Sequence, residues 1–399
     1  MVATGLVLTA RSLGVLQPLE LWAFDRLLQL RPKEAPDDRL LIVTIDESEV
    51  QAQAAQGGRG SLSDQTLDRL LKELERHRPR VIGIDVYRDF AVSSRYPDLA
   101  AQLRRNQRLV AICKSSDAIA DPTGIAPPPE VPESRVGFSD FLEDGDGVLR
   151  RQILKLDPDP ASPCTTPYAF NARLAVQYLE PMGIRPESTS EGNLKLDQTV
   201  FQWLTERMGG YQGIDAGGNQ IMLNYRSLSS PGAIAPQVSL TQVLQGKVRS
   251  QAIQDRIVLV GVIASSSGDV WITPYGTGTA NEVPGVLIQA HMTSQILSAV
   301  LDRRSLIWVW NWAGEALWIG LWSLAGGLSM LWVQTNPSAL ARSRLFQGVI
   351  GVTAIAILTG LSGALLGQGG WIPLVPAGIA LGIAGSITIY LNDQIRSKS

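Results

Sequence analysis

The sequence has few of the residues that build metal centres and covalent scaffolds. Of its 399 residues, 2 are cysteine and 2 are histidine. Two cysteines cannot form a disulfide-dense scaffold or a four-cysteine zinc site, and two histidines rule out a histidine-rich metal centre. We therefore expect no resident cofactor and assign no metal ligands. The residues leave open whether Cys113 and Cys164 form a disulfide bond with each other.

Charged residues are also scarce, and they are unevenly distributed. They make up 18% of the chain, and 35 Lys and Arg nearly balance 37 Asp and Glu. This balance creates no positive field to hold nucleic acid, so we expect no nucleic-acid partner. Between Trp308 and Leu391 the only ionisable side chains besides tyrosine are Glu315, Arg342 and Arg344. The distribution predicts a soluble domain followed by a domain that lies in a membrane.

Three apolar runs in the last quarter of the chain are long enough to cross a bilayer, which takes roughly 18 to 20 residues. They cover about Trp308–Val333, Gly348–Gly367 and Trp371–Leu391. The first run is rich in tryptophan, which favours the two interfaces of a membrane. We expect a unit of three transmembrane helices here.

Glu315 is the one acidic residue within these runs, about two turns inside the first of them. Carboxylates at such positions often mark a polar contact or a proton path through the membrane. A side chain at that depth can instead extend to the outer interface. The sequence leaves both roles of Glu315 open.

The basic residues around the apolar runs predict how the chain crosses the membrane. Arg342 and Arg344 lie between the first two runs, and Arg396 and Lys398 follow the third. Because basic loops stay in the cytoplasm, we expect both regions to be cytoplasmic. The large charged domain then lies outside the cytoplasm, and the protein is a multi-pass protein of the plasma or inner membrane.

The N-terminal segment from Val2 to Phe24 makes a poor membrane span as it is written. Arg11, Pro18 and Glu20 interrupt it, and a charge near the centre of a spanning helix costs roughly 2.5 to 3.5 kcal/mol. We expect that a first spanning helix is either short and atypical here or lost to a start codon placed too far downstream. The predicted organisation is an N-terminal segment over 1–32, a soluble domain over 33–306, a membrane unit over 307–392 and a cytoplasmic tail over 393–399.

The soluble domain reads as a layered α/β fold with a mainly parallel sheet. Four short runs are apolar on consecutive residues, which is typical of strands that are covered on both faces. These runs are Leu40–Ile45, Val81–Ile84, Leu109–Ile112 and Ile257–Val262. Between the first two lies a helical pattern of leucines that Ser63 would cap, so the chain forms a β-α-β unit with parallel strands.

The middle of the domain, from Arg150 to Tyr225, has a different pattern. Alternating residues over Val148–Leu156, a helical pattern over Pro167–Leu179 and strand-like runs after it follow one another. Such a mixture predicts an inserted subdomain with a mixed sheet.

Acidic residues follow the ends of the predicted strands, and they are our candidate ligand-binding residues. They are Asp46, Glu47, Asp85 and, beyond the last strand, Asp269. Ligands of open α/β sheets bind outside the carboxyl ends of the strands, where carboxylates could hold a cation or an amine. The alternative is that these side chains cap neighbouring turns. We predict no catalytic residues, because no Gly-x-Ser-x-Gly elbow is present.

Five ordered motifs resemble those of the CHASE extracellular sensor domain of the second type. The motifs are Ile42–Glu47, Arg80–Asp85, Ile257–Gly261, Gly268–Pro274 and Pro284–Val286, within a match of about Leu16–Leu301. The resemblance implies an extracytoplasmic sensory domain, which in bacteria commonly controls a histidine kinase, a nucleotide cyclase or a related output module. Such proteins normally carry the output module on the same chain, and only 392–399 follows the last apolar run here.

We therefore expect a membrane-anchored sensor without enzymatic activity. It would bind an unknown small molecule or ion and act on a separate signalling protein through its membrane helices. The oligomeric state stays open, a homodimer included. The alternative is an envelope scaffold or assembly subunit that binds another protein and senses nothing.

Overall fold

The computed structural model describes residues 2–55, 60–117, 121–276, 282–336, 338 and 343–396. The chain forms two compact units. The first contains residues 1–31, 204–216 and 307–399, and the second contains 32–203 and 217–306. We call them the membrane unit and the soluble unit. Arg342 and Lys398, on which the predicted orientation partly depends, lie outside the described residues, as does the side chain of Arg396.

The helices range from single turns in the soluble unit to long apolar helices in the membrane unit. They are α1 Val2–Ser12, α2 Gln17–Gln29, α3 Glu47–Ala55, α4 Asp64–Arg76, α5 Pro97–Arg105, α6 Phe170–Leu179, α7 Leu240–Leu244, α8 Ser250–Ile253, α9 Gly285–Leu301, α10 Trp312–Thr335, α11 Arg344–Gly367 and α12 Leu374–Arg396.

The strands are short, and most of them belong to the soluble unit. They are β1 Leu40–Ile45, β2 Val81–Asp85, β3 Leu109–Cys113, β4 Val136–Phe138, β5 Arg151–Lys155, β6 Pro186–Ser188, β7 Leu194–Leu196, β8 Thr199–Phe201, β9 Asn219–Met222, β10 Gln237–Ser239, β11 Ile257–Val262, β12 Val270–Trp271, β13 Val283–Pro284, β14 Trp308–Val309 and β15 Gly370–Trp371.

A six-stranded parallel sheet forms the centre of the soluble unit, in the order β10-β1-β11-β2-β3-β4. Every residue of β1 and β3 is buried, so both faces of the sheet are covered. This confirms the predicted α/β fold with its parallel sheet. The predicted cap is also present, since the Ser63 side chain accepts a hydrogen bond from the Thr66 amide at the start of α4.

Helices α6 and α9 pack against each other and over the sheet. Two glycines in the strands let these helices come close to the sheet. A side chain at Gly83 of β2 would meet the Phe170 ring at 2.8 Å, and one at Gly261 of β11 would meet Val286 at 2.5 Å. Helix α4 packs against α5 and α7. The apolar strands thus place their polar neighbours at the two ends of the sheet.

The predicted inserted region contains antiparallel strands, as a mixed subdomain requires. Strand β5 pairs with β9, and β6, β7 and β8 form a three-stranded antiparallel sheet. Helix α6 lies between them in sequence and packs on the central sheet as well.

The three C-terminal helices confirm the predicted apolar unit. Helices α10, α11 and α12 are each long and apolar enough to cross a membrane. Helices α10 and α12 approach most closely at Gly326, where a side chain would collide with the backbone of Leu381. Small residues permit such contact between helix backbones in membranes.

The N-terminal segment forms two helices of the membrane unit rather than one straight span. Helices α1 and α2 meet at an angle of 90°, and together they pass the length and hydropathy requirements of a membrane span. The described residues therefore contain three candidate spans, or four if this bent pair is counted as one. Both helices contact α12.

The charges that make this segment a poor span have partners within the membrane unit. Arg11 forms an ion pair with Glu315 of α10 at 2.6 Å, and both side chains are only 8% exposed. Arg11 also donates to the Gly209 carbonyl at 2.6 Å. The Glu20 carboxylate accepts from the first amides of α12, those of Leu374 and Val375, at 3.0 and 2.9 Å. Glu315 therefore makes a polar contact within the unit, and it lies in the first turn of α10 rather than two turns inside the span.

Residues 204–216 belong to the membrane unit although they lie between two strands of the soluble unit. Besides the Gly209 carbonyl, they supply Tyr211, whose ring packs edge-on against Trp371 at 5.5 Å. Because the segment is polar and rich in glycine, its sequence does not predict that it belongs to the membrane unit.

The Arg11–Glu315 pair gives a test of how the membrane unit is stabilised. Glu315→Leu leaves Arg11 charged and buried, so we expect it to destabilise the full chain in detergent by about 3 to 5 kcal/mol. Arg11→Leu combined with Glu315→Leu removes both charges and should restore most of that loss. Thermal and denaturant unfolding measure the effect, with exposed Arg26→Gln as control. A double variant as unstable as the single one would contradict this account.

Cys113 and Cys164 form a disulfide, with their Cα atoms 5.5 Å apart. Cys113 ends β3, and both residues are fully buried in the core of the soluble unit. The bond ties the central sheet to the loop that leads into α6, across 51 positions of sequence.

Removing this disulfide should destabilise the soluble unit, because the unfolded chain gains the entropy of an open loop. For a loop of this length we expect a loss of about 4 kcal/mol in the Cys113→Ala, Cys164→Ala variant. Reductant should lower the melting temperature of the unaltered protein and leave that of the variant unchanged. Two free thiols in the denatured, unreduced protein would contradict the pairing.

Candidate functional site

Polar residues follow each strand at the carboxyl edge of the parallel sheet. Asp46 follows β1, Asp85 ends β2, and the turn Ser265–Ser267 follows β11. Lys114 follows β3, and Asp140 lies just beyond β4. Because the strands are parallel, all these positions meet at one edge, where ligands of open α/β sheets bind.

Asp46 and Glu47 have partners that explain them structurally. Asp46 precedes α3, and its carboxylate accepts hydrogen bonds from the Glu49 amide at 2.9 Å and the Ser48 hydroxyl at 2.6 Å. The Glu49 side chain accepts from the Asp46 amide in return, which completes a capping box. Glu47 accepts from the Ser266 amide at 3.3 Å. These hydrogen bonds lower the pKa of both carboxyls.

Asp85 is in a different environment. No described residue donates a hydrogen bond to its carboxylate, and protein atoms surround it although the side chain keeps some exposed area. Burial raises the pKa of Asp85 well above its usual value, and the nearby charge of Asp269 raises it further. The structure therefore brings Asp85 and Asp269 together, as their places at the ends of parallel strands predicted.

Asp269 is held against the start of α9. Its carboxylate accepts from the Trp271 indole at 2.8 Å, and its carbonyl accepts from the Gly285 amide at 3.1 Å. Any side chain at Gly285 would collide with both carboxylate oxygens. Asp269 thus requires Gly285, and the neighbouring Val286 packs over Gly261, so three of the five sequence motifs contact one another. Burial raises the pKa of Asp269, while the Trp271 hydrogen bond acts in the opposite direction.

Three further residues of this edge were not among the sequence candidates. The Tyr87 hydroxyl shares a hydrogen bond of 2.9 Å with Ser139, and burial and the charges of Asp85, Asp140 and Asp269 raise its pKa. Asp140 accepts from the Ser115 amide at 3.0 Å, and its pKa is raised by burial. Lys114 is the cation of the edge, and Asp121 holds its ammonium at 2.7 Å.

The signal that could have found these residues is their place in the sequence. Tyr87, Lys114 and Asp140 each lie within two residues of a strand end, as the candidates Asp46 and Asp85 do. Only acidic residues after long apolar strands were predicted in this way, and β4 is three residues long.

Other potential chemistries are less well supported by the geometry. Within the described ranges no three His, Cys, Asp or Glu side chains are grouped closely enough to hold a metal ion. His291 is buried in α9, where a ring nitrogen donates to the Pro231 carbonyl at 2.8 Å. Burial lowers the pKa of His291 to about 4, so the ring is neutral near pH 7. Glu315 lies in the membrane unit and takes no part in this edge.

A parallel α/β unit with acidic residues at its carboxyl edge shares the chain with three helices that are long and apolar enough to cross a membrane. The chain belongs to the CHASE2 domain family, whose model matches residues 2–328. CHASE2 is a family of extracellular sensory domains, not of catalytic ones. The match includes the N-terminal helices and part of α10. No curated protein and no solved structure matches the chain.

The raised pKa of Asp85 predicts how stability depends on pH. The folded state binds this proton more tightly than the unfolded state, so the cost of ionising Asp85 appears as the pH rises above about 4. Asp85→Asn should therefore stabilise the protein at pH 7. It should also flatten the decline in melting temperature that begins as the pH rises above about 4, the usual carboxyl pKa.

Asp46→Asn is the matched control, because asparagine caps a helix as well as aspartate does. The pKa of Asp46 is lowered, so this change cannot produce a gain in stability at neutral pH. An Asp85→Asn variant that is less stable than the unaltered protein at every pH would show that the Asp85 carboxylate has a structural role.

Proposed function

We propose that the protein is a membrane-anchored extracytoplasmic sensor that binds a cationic small molecule at the carboxyl edge of its sheet. Asp85 and Asp269 are the proposed ligand-binding residues, and Asp46 and Glu47 shape the adjoining loops. The observation that carries the proposal is the Asp85 carboxylate, which is only partly exposed, lies near a second carboxylate and receives no hydrogen bond from the described residues. Functional sites often keep such unfavourable groups because a ligand relieves them.

The charges around Asp85 favour a cation over an anion. Asp269 and Asp140 add negative charge, and the positive charge of Lys114 is largely balanced by Asp121. An organic amine fits this arrangement better than a metal ion, since an ammonium group needs only one or two carboxylates.

The proposed compartment is the outside of the plasma or inner membrane, with the chain crossing the membrane several times. The Cys113–Cys164 disulfide supports it, because disulfides persist in oxidising compartments. Arg344, at the start of α11, agrees with a cytoplasmic loop between the first two long helices.

The proposed output is a separate signalling protein in the same membrane, and the sensor itself has no enzymatic activity. A sensor can act on such a partner only if its ligand binds two states of the protein with different affinity. The proposed active form is a homodimer, in which the packing between the two copies of the membrane unit changes.

A series of four-carbon compounds tests the proposed ligand class. Putrescine, 1,4-butanediol and succinate have similar size and carry positive, neutral and negative charge. We expect putrescine alone to raise the melting temperature of the full chain in nanodiscs, and Asp85→Asn to weaken its binding by about tenfold or more. Because Asp85 and Asp269 have raised pKa values, affinity should increase as the pH rises above the usual carboxyl pKa of about 4.

Asp46→Asn should bind putrescine as the unaltered protein does. Equal responses to all three compounds, or none, would contradict a cation site. Stable copurification of another envelope protein, independent of any small molecule, would then favour a scaffold.

A further inference from the structure

A cavity of about 380 Å³ lies in the soluble unit, and the residues that line it are separate in sequence from those of the carboxyl edge. Its walls come from β5, α6, the β6–β7 hairpin and the residues around β8 and β9. This volume falls within the range of small-molecule sites. None of its lining residues is among the acidic residues of the carboxyl edge.

Two aromatic side chains line the cavity. Trp203 is fixed at two points, since its indole donates to the Gly192 carbonyl at 2.8 Å and its amide donates to Asn193 at 3.0 Å. Tyr168 is 43% exposed, which is high for a large aromatic residue of a folded domain. Rigid aromatic faces of this kind are suited to stacking against a flat ring.

Two cations line the same cavity, and neither forms an ion pair with an acidic residue that the structure describes. Arg173 of α6 donates to the Val136 carbonyl at 3.2 Å and to the Thr166 hydroxyl at 3.5 Å, which leaves much of its donor capacity unused. Its guanidinium lies 4.6 Å from the centre of the Tyr168 ring. Across the part of the chain that the structure describes, neither Arg173 nor Lys155 forms an ion pair.

The two cations lie in different environments, since Arg173 is partly buried and Lys155 is exposed. Burial lowers the pKa of Arg173, and Glu133 offsets this effect without forming an ion pair. Lys155 ends β5 at an irregularity in its pairing with β9, where the register shifts between Ile153 and Lys155. Such irregularities change the direction of a side chain and are frequent beside functional sites.

The single acid of the cavity wall does not cancel these charges. Glu187 of β6 already forms an ion pair with Lys195 at 3.0 Å, and Lys195 does not line the cavity. The lining therefore keeps two positive groups beside two aromatic faces.

We propose that this cavity binds a small anion that carries a flat apolar ring, such as an aromatic carboxylate. The ring stacks on Trp203 and Tyr168, and the carboxylate receives hydrogen bonds from Arg173 and Lys155. An arginine fork matches the two oxygens of a carboxylate, which sets the orientation of the ligand.

Three naphthalene compounds of similar size but different charge test the proposal. We expect 2-naphthoate to bind the full chain in nanodiscs, measured by calorimetry after subtraction of empty nanodiscs. The neutral 2-naphthamide should bind about tenfold more weakly, and the cationic 2-naphthylmethylamine more weakly still. Arg173→Gln and Lys155→Gln should each weaken 2-naphthoate binding by about tenfold.

Lys247→Gln removes one positive charge from an exposed position elsewhere in the soluble unit, and it should leave binding unchanged. Asp85→Asn should also bind 2-naphthoate normally, which separates this site from the proposed cation site. Circular dichroism confirms that each variant folds. The proposal is overturned if 2-naphthoate does not bind, if the amine binds as tightly, or if Arg173→Gln and Lys247→Gln behave alike.

Discussion

The burial of both faces of a parallel sheet is the constraint on which the soluble unit depends. Strands such as β1 and β3 have no exposed residue and are almost wholly apolar, and the hydroxyl of Thr44 in β1 donates to the Val238 carbonyl. Charged groups are therefore confined to the strand ends, and parallel pairing gathers the carboxyl ends at one edge. The acidic edge around Asp85 follows from this arrangement. It also explains why the motifs that identify the family combine an apolar strand with an acidic residue or a glycine.

Burying a charge also costs free energy in the membrane unit, where partners within the unit compensate it. A buried ion needs a partner or a helix end, since neither water nor lipid supplies one there. Arg11 has Glu315, and Glu20 has the first amides of α12. These contacts hold α1 and α2 against the long helices. The N-terminal segment is therefore atypical because its charges belong to contacts within the unit.

Local patterns in the sequence predicted much of this structure. Apolar runs and the helical spacing of leucines predicted the strands β1, β2 and β11, the Ser63 cap of α4 and the three long helices. The pairing of Arg11 with Glu315, 304 positions apart, could not be predicted in this way, because no periodicity links the two segments. The same holds for the cavity between α6 and the β6–β7 hairpin, whose cations and aromatic residues are spread over sequence from 155 to 203. At the acidic edge, position predicted that Asp85 and Asp269 lie together. It could not distinguish Asp46, which caps α3, from Asp85, which receives no hydrogen bond from the described residues.

Helix α9 connects the acidic edge with the opposite end of the soluble unit. Its first residue, Gly285, lies against the Asp269 carboxylate, and its residues from there to Val300 are buried. Near its other end Ser298 accepts hydrogen bonds from Arg39 at 2.9 Å and from Arg226 at 2.7 Å. Close packing along this buried helix limits local bending between its two ends. A ligand that neutralises Asp269 would therefore change the electrostatics at the start of the same helix whose far end is held by Arg39 and Arg226, and α9 is the element through which the proposed sensor would respond.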